Sequence, residues 1–159
     1  MSEFLHIDLN VFMVAICVIM YFANRSTSDR TQVQNLLFRL LILSNMTLLV
    51  LEAATWLLDG HPSPVLIPLY YSVTTLLYIL TPLPAALWVL YVSWHIFPSM
   101  HRLRSTMYAF GIPFGICLVL SLTTSLTNWM FTIDANNVYQ RGVLYPLLAV
   151  VSFFPIFYA

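Results

Sequence analysis

The chain has 159 residues, of which 60% are hydrophobic and 8% are charged, and its mean hydropathy is +0.86. Soluble domains carry about a quarter of charged residues, so this composition excludes them and indicates an integral membrane protein. The formal net charge is zero and the chain contains no lysine, so nothing predicts a nucleic-acid partner.

Five long apolar segments follow one another along the chain and predict membrane-spanning helices. They cover residues of about 5–23, 36–58, 68–95, 107–126 and 143–159. Pro82 and Pro84 interrupt the third segment, and we expect them to break or kink it because each removes a backbone donor. The predicted fold class is therefore all-α, a polytopic transmembrane helical bundle of about five spans that forms one domain over residues 1–159.

The arginines predict the orientation of this bundle. One side of the spans carries all of them except Arg141, namely Arg25, Arg30, Arg39, Arg102 and Arg104. By the positive-inside rule that side is cytoplasmic, so the N-terminus is expected outside. The last segment is shorter than the roughly 20 residues that a span needs, so we expect the chain to be a piece of a longer protein.

The second segment carries Asn45, Glu52 and Asp59 at intervals of seven residues. Seven residues are close to two helical turns, so the three side chains are expected to point in a similar direction. A carboxylate within the bilayer costs about 2.5–3.5 kcal/mol, so Glu52 is expected to face other helices or a wet cavity. These residues, with Trp56 one turn beyond Glu52, are predicted to bind a ligand.

Each of these residues also has a structural interpretation. Glu52 can be protonated and bonded to a neighbouring helix, and Asn45 can serve only to join helices. Trp56 can belong to the aromatic belt at the membrane surface.

The third segment offers hydroxyl groups that could face Glu52. Tyr71 and Tyr78 lie seven residues apart with Thr74 and Thr75 between them, which predicts a shared helix face. We expect Tyr71 and Tyr78 to contribute to the ligand site. The alternative is an aromatic belt with ordinary helix packing. The prolines that follow can form either a hinge or a static kink.

The loop before the last segment gathers polar side chains in a short stretch. Asp134, Asn136, Asn137 and Arg141 are predicted ligand-binding residues in this stretch, and Tyr139 belongs to the same polar cluster without being a predicted ligand contact. The loop can act as a lid over the outer mouth of the bundle. The alternative is an ordered turn, since Asp and Asn side chains often bond the backbone of turns.

Catalytic and metal-binding motifs are missing from the sequence. His6, Asp8, Asp59, His61 and Asp134 share the outer side, but no two of them have the close spacing of a recognised metal site. No phosphate-binding loop or nucleophile motif occurs either. We therefore expect no catalytic residue, no metal and no cofactor in this chain.

Two strings of the sequence resemble a known family. They are Glu52-Ala-Ala-Thr-Trp56-Leu-Leu-Asp59-Gly60 and Ile133-Asp134-Ala-Asn136-Asn137-Val-Tyr139-Gln-Arg141-Gly142, and Leu83-Pro84 and Trp88-x-x-Tyr91 lie between them. Together they resemble the N-terminal multi-span sensor regions of bacterial GGDEF proteins. The resemblance implies a multi-pass sensor in the bacterial cytoplasmic membrane that leads into a cytoplasmic GGDEF domain.

Such GGDEF domains make cyclic di-GMP and usually work as dimers, so the resemblance also implies a homodimer formed through that domain. The chain contains no GGDEF sequence, so this activity is not expected of the chain itself. The leading hypothesis is signal reception, in which a small ligand, a lipid or an ion binds between helices near Glu52. The alternatives are a transporter or channel fragment with Glu52 as its proton or cation site, and a structural membrane scaffold.

Overall fold

The computed structural model describes residues 2–25, 32–61, 63 and 65–158. Most of these residues are helical, and one short hairpin interrupts the helices. The elements in chain order are the helices α1 (Ser2–Arg25), α2 (Gln32–Leu58), α3 (Ile67–Leu80), α4 (Leu83–Ile96) and α5 (Met100–Thr127), the strands β1 (Phe131–Ile133) and β2 (Tyr139–Arg141), and the helix α6 (Tyr145–Tyr158). The predicted all-α helical bundle is confirmed, and the hairpin is an addition to it.

Within the described residues, four helical segments are long and apolar enough to cross a membrane. They are Ile7–Asn24, Gln32–Leu58, Ile67–Ile96 and Met100–Thr124. The fifth predicted span corresponds to a shorter apolar helix, Tyr145–Phe154, which is not among these four. The orientation stays a prediction from the arginines, one of which, Arg30, lies outside the described residues.

The prolines of the third span divide it into α3 and α4, as predicted. Thr81 and Pro82 keep right-handed helical backbone angles, so the two helices join through a short turn. Pro82 has no backbone N–H, so the carbonyl of Tyr78 loses its usual helical donor. The thiol of Cys117 in α5 lies 3.8 Å from that carbonyl and donates to it. The break is thus packed against a neighbouring helix.

The helices pack around two groups of buried side chains. α2 packs against α1, α3 and α4, while α5 packs against α3, α4 and α6. The first group joins α2, α4 and α5 and contains Leu37, Leu87, Val89, Leu90 and Phe110. The second group joins α3, α5, α6 and the hairpin and contains Tyr70, Tyr78, Cys117, Met130, Phe131, Ile133, Leu148 and Val151. The hairpin therefore belongs to the core and is not a loose loop.

The hairpin is antiparallel, and its register sets Phe131 opposite Arg141. Asn128 ends α5 in the left-handed conformation, with φ of 56°. After the hairpin, the amide of Gly142 donates to the carbonyl of Met130 at 2.9 Å. A Cβ atom at Gly142 would collide with the carbonyl oxygen of Trp129. Glycine is therefore required here, because the two backbones approach too closely for a side chain.

We expect Gly142→Ala to lower the stability of the protein by about 1–3 kcal/mol, since the added methyl group overpacks this backbone contact. Thermal unfolding of the purified protein in lipid nanodiscs measures the effect. Gly111→Ala is the matched control, because nothing lies within 4 Å of the position where its Cβ would stand. An unchanged unfolding temperature for Gly142→Ala would contradict the position of the hairpin.

Candidate functional site

A cavity of about 430 Å³ opens between α2, α3, β2 and α6. This volume lies within the range of about 300–1,000 Å³ that small-molecule sites occupy. Its lining combines apolar, aromatic, hydroxyl and charged side chains. These are Leu48, Glu52, Thr55, Trp56, Asp59, Tyr70, Thr74, Leu77, Tyr78, Thr81, Tyr139, Arg141, Tyr145 and Leu148.

Two helices supply most of this lining with the same spacing. The α2 stripe is Leu48, Glu52, Thr55, Trp56 and Asp59. The α3 stripe is Tyr70, Thr74, Leu77, Tyr78 and Thr81. Each stripe follows steps of four, three, one and three residues, which keep side chains on one face of a helix. The two faces oppose each other across the cavity.

A hydrogen bond joins the two stripes at one end of the cavity. The hydroxyl of Tyr70 donates to Oδ1 of Asp59 at 3.2 Å. Glu52 lies seven residues before Asp59, which is about 10 Å along the helix.

The strand β2 closes the outer end through the same carboxylate. The backbone amide of Tyr139 donates to Oδ1 of Asp59 at 3.1 Å. The hydroxyl groups of Tyr139 and Tyr78 are hydrogen-bonded to each other, and either can be the donor. Asp59 and this tyrosine pair thus join α2, α3 and the hairpin around one end of the cavity.

Burial keeps the phenol of Tyr139 protonated. Burial raises the pKa of Tyr139, and the hydrogen bond with Tyr78 and the nearby guanidinium of Arg141 oppose that shift only in part. The guanidinium of Arg141 also lies over the ring of Tyr145, 4.7 Å from the ring centroid, in a cation–π contact.

Thr74 lines the cavity and carries an unsatisfied hydroxyl. Its side chain is 2% exposed, and within the described residues its Oγ1 atom has no hydrogen-bond partner. By contrast, the hydroxyls of Thr55 and Thr81 donate to backbone carbonyls of their own helices at 2.7 Å each. A buried polar group without a partner costs about 1–3 kcal/mol. A ligand or water molecule that bonds Thr74 would recover this free energy.

Glu52 lines the cavity and is exposed there. Its carboxylate is therefore accessible to a ligand. Trp56, Asp59, Tyr78 and Arg141 line the same cavity, so the structure brings these predicted site residues together.

Two other predicted site residues lie elsewhere. Asn45 is not part of the lining. Its Nδ2 atom donates to the carbonyl of Leu41 at 2.9 Å within α2. The α2 stripe ends at Leu48, so the cavity stops one turn short of Asn45. Tyr71 supports the hairpin instead: its hydroxyl accepts a hydrogen bond from the amide of Ile133 at 3.2 Å.

Asp134 and Asn136 form the hairpin turn and do not line the cavity. Oδ1 of Asp134 accepts hydrogen bonds from the amides of Asn136 and Val138 at 2.8 and 2.9 Å. This is the ordered-turn alternative, in which the carboxylate bonds the backbone of its own turn. The Asn136 side chain is exposed.

Asn137 is a structural residue that ties the hairpin to the turn between α2 and α3. It is fully buried, and its Nδ2 atom donates to the carbonyls of His61 and Ser63 at 2.5 and 2.9 Å. Its own carbonyl accepts from the amide of Gly60 at 2.9 Å. The loop thus closes over the bundle, and Asn137 fastens it without contacting the cavity.

Several lining residues were not among the predicted ligand contacts. Tyr70 and Thr74 precede the predicted contact Tyr78 by eight and four residues. This helical spacing could have identified both as residues on the same face of α3. Tyr139 and Tyr145 come from a distant part of the chain. They reach the cavity only because the hairpin folds back over α3, which no local pattern reveals.

We expect Asn137→Ala to destabilise the protein by about 2 kcal/mol, because the carbonyls of His61 and Ser63 lose a fully buried donor. The matched control is Asn136→Ala, which removes the neighbouring exposed amide and is expected to change stability by less than about 0.5 kcal/mol. Thermal unfolding in nanodiscs measures both variants. Equal unfolding temperatures for the two would contradict the fastening role of Asn137.

No protein-family model, curated protein or solved structure matches this chain. The relation to GGDEF sensor regions therefore stays a prediction from the two strings of the sequence. The cavity and its lining are the observations from which a function can be argued.

Proposed function

We propose that this chain is the ligand-receptor domain of a membrane signalling protein. The observation that carries the proposal is the cavity between α2, α3, β2 and α6, with the accessible carboxylate of Glu52 and the unsatisfied hydroxyl of Thr74 in its lining. Apolar walls with a few convergent polar groups are typical of small-molecule sites.

The cavity also suits a receptor because separate parts of the chain form its walls. α2 and α3 supply most of the lining, and β2 and α6 supply the rest. A ligand that contacts several of these elements can favour one packing arrangement over another. Only a difference in affinity between two arrangements shifts their populations, and a site shared by several elements provides such a difference.

The signal would leave the cavity through α6 and through the break after α3. Tyr145 and Leu148 of α6 line the cavity, and α6 also packs against α4 and α5. Thr81 lines the inner end of the cavity beside Pro82. Ligand binding is therefore positioned to change how α4, α5 and α6 pack against one another.

The location and the output are proposed from the sequence. We propose the bacterial cytoplasmic membrane, with the N-terminus outside and the hairpin on the outer side. Four helices long and apolar enough to cross a membrane support the membrane location, and the arginines support the orientation. The resemblance supports a cytoplasmic GGDEF output domain and a homodimer formed through it.

Ligand binding is tested with the purified chain in lipid nanodiscs and three probes of similar shape. The probes are 2-phenylethylamine, 2-phenylethanol and phenylacetate, which are cationic, neutral and anionic at pH 7. We expect at least one probe at saturating concentration to raise the unfolding temperature by about 2–4 °C, since binding to the folded state stabilises it. No shift with any of the three would contradict the proposal.

Variants that fill the cavity localise this effect. Thr74→Trp and Leu48→Trp place an indole in the lining and are expected to abolish the shift. Thr47→Trp is the matched control, because Thr47 is exposed and its hydroxyl donates to the carbonyl of Leu43 at 2.9 Å. A shift that survives both cavity-filling variants would place binding elsewhere.

Signalling is tested by fusing the chain to a GGDEF domain and measuring cyclic di-GMP in cells. Glu52→Gln and Arg141→Gln are expected to change the output by at least about threefold, because each removes a charge from the lining. Thr47→Val serves as the control outside the cavity. Unchanged output in both charge variants, under conditions where the parent responds, would remove the cavity from signalling.

A further inference from the structure

We propose that the cavity binds a small organic cation, namely a primary amine carried on an apolar, ring-containing body. The proposal rests on the receptor function proposed above and names the chemical class of its ligand. Three features of the lining lead to it: the balance of charges, the aromatic rings and one buried hydroxyl group.

The charges of the lining favour a cation. Glu52 and Asp59 are acidic, and Arg141 is the one basic residue among the lining side chains. Asp59 already accepts two hydrogen bonds, and Arg141 already lies over an aromatic ring. In the described residues, no hydrogen bond is made to the Glu52 carboxylate. The hydroxyl of Thr55 donates to the backbone carbonyl of Glu52 and leaves the carboxylate free. A cation that pairs with Glu52 would leave the lining neutral overall.

The rings of the lining favour the same charge. Trp56, Tyr70, Tyr78, Tyr139 and Tyr145 all border the cavity. The face of an aromatic ring carries negative charge density and attracts cations. The same rings provide apolar area for the body of the ligand. A charged head on an apolar body therefore finds both of its requirements in one cavity.

The hydroxyl of Thr74 distinguishes a primary amine from a quaternary one. Thr74 on the α3 stripe and Glu52 on the α2 stripe line the same cavity. A primary ammonium group has three N–H donors. One donor can bond Glu52 while another bonds the unsatisfied Oγ1 of Thr74. A quaternary ammonium has no donor for either group.

Other ligand classes fit the lining less well. An anion would face two carboxylates and would have to displace Arg141 from the ring of Tyr145. A neutral ligand would leave the charge of Glu52 without a partner. A metal ion needs several close ligands, and the described residues contain no group of three such side chains.

Binding of four probes to the protein in nanodiscs tests the proposal by titration calorimetry at pH 7. The probes are 2-phenylethylamine, its N,N,N-trimethyl analogue, 2-phenylethanol and phenylacetate. We expect 2-phenylethylamine to bind about tenfold or more tightly than the alcohol and phenylacetate, because its hydrogen bonds are charge-assisted. Equal or weaker binding of the amine would overturn the proposal.

Two variants assign this preference to the residues named. Glu52→Gln is expected to reduce the preference of the amine over the alcohol to within about twofold, because the amide carries no charge. Thr74→Val is expected to weaken the primary amine about threefold to tenfold and to leave the trimethyl analogue unchanged, because only the primary amine donates to Oγ1. Thr47→Val is the control and should alter neither probe.

The outcomes separate this proposal from the receptor function. If the alcohol or phenylacetate binds in the cavity at least as tightly as the amine, the cavity remains a ligand site and only the cationic class is wrong. If the amine keeps its full preference in Glu52→Gln, the assignment to that carboxylate is wrong. If none of the four probes binds, the ligand class and the receptor function fail together.

Discussion

The carboxylate of Asp59 is the contact on which the outer half of the structure depends. One oxygen accepts hydrogen bonds from the hydroxyl of Tyr70 and from the amide of Tyr139, at 3.2 and 3.1 Å. The bonds join the end of α2 to the start of α3 and to a strand far along the chain. Hydrogen bonds to a charged group are about twice as strong as neutral ones, which suits this contact to hold three elements together.

Aromatic packing also holds the hairpin against α3. Phe131 is fully buried. The centroid of its ring lies 5.5 Å from that of Tyr71, 5.2 Å from that of Tyr78 and 6.1 Å from that of Tyr139. Asn137 fastens the other end of the hairpin to the turn after α2. The hairpin is therefore a fixed wall of the cavity, and the Asp134 carboxylate and the Asn137 Nδ2 group are occupied by structural bonds.

The polar groups left to a ligand are consequently few. Asp59 and Asn137 are engaged in structural hydrogen bonds, and Arg141 is engaged with the ring of Tyr145. Glu52 and Thr74 line the same cavity as five aromatic residues, and the hydroxyl of Thr74 has no partner among the described residues. In the proposed receptor, these two groups would define the ligand, while the others hold the walls in position.

Apolar runs and prolines were enough to predict the helices and the break after α3. These features are local, because helix formation in a membrane and the missing proline N–H depend on neighbouring residues alone. The roles of Asn45 and Tyr71 were decided by the fold. A seven-residue spacing gives the direction of a side chain but not the depth at which a cavity ends. Tyr139 and Tyr145 enter the site through a long-range chain reversal, which packing against α3 stabilises and no local pattern encodes.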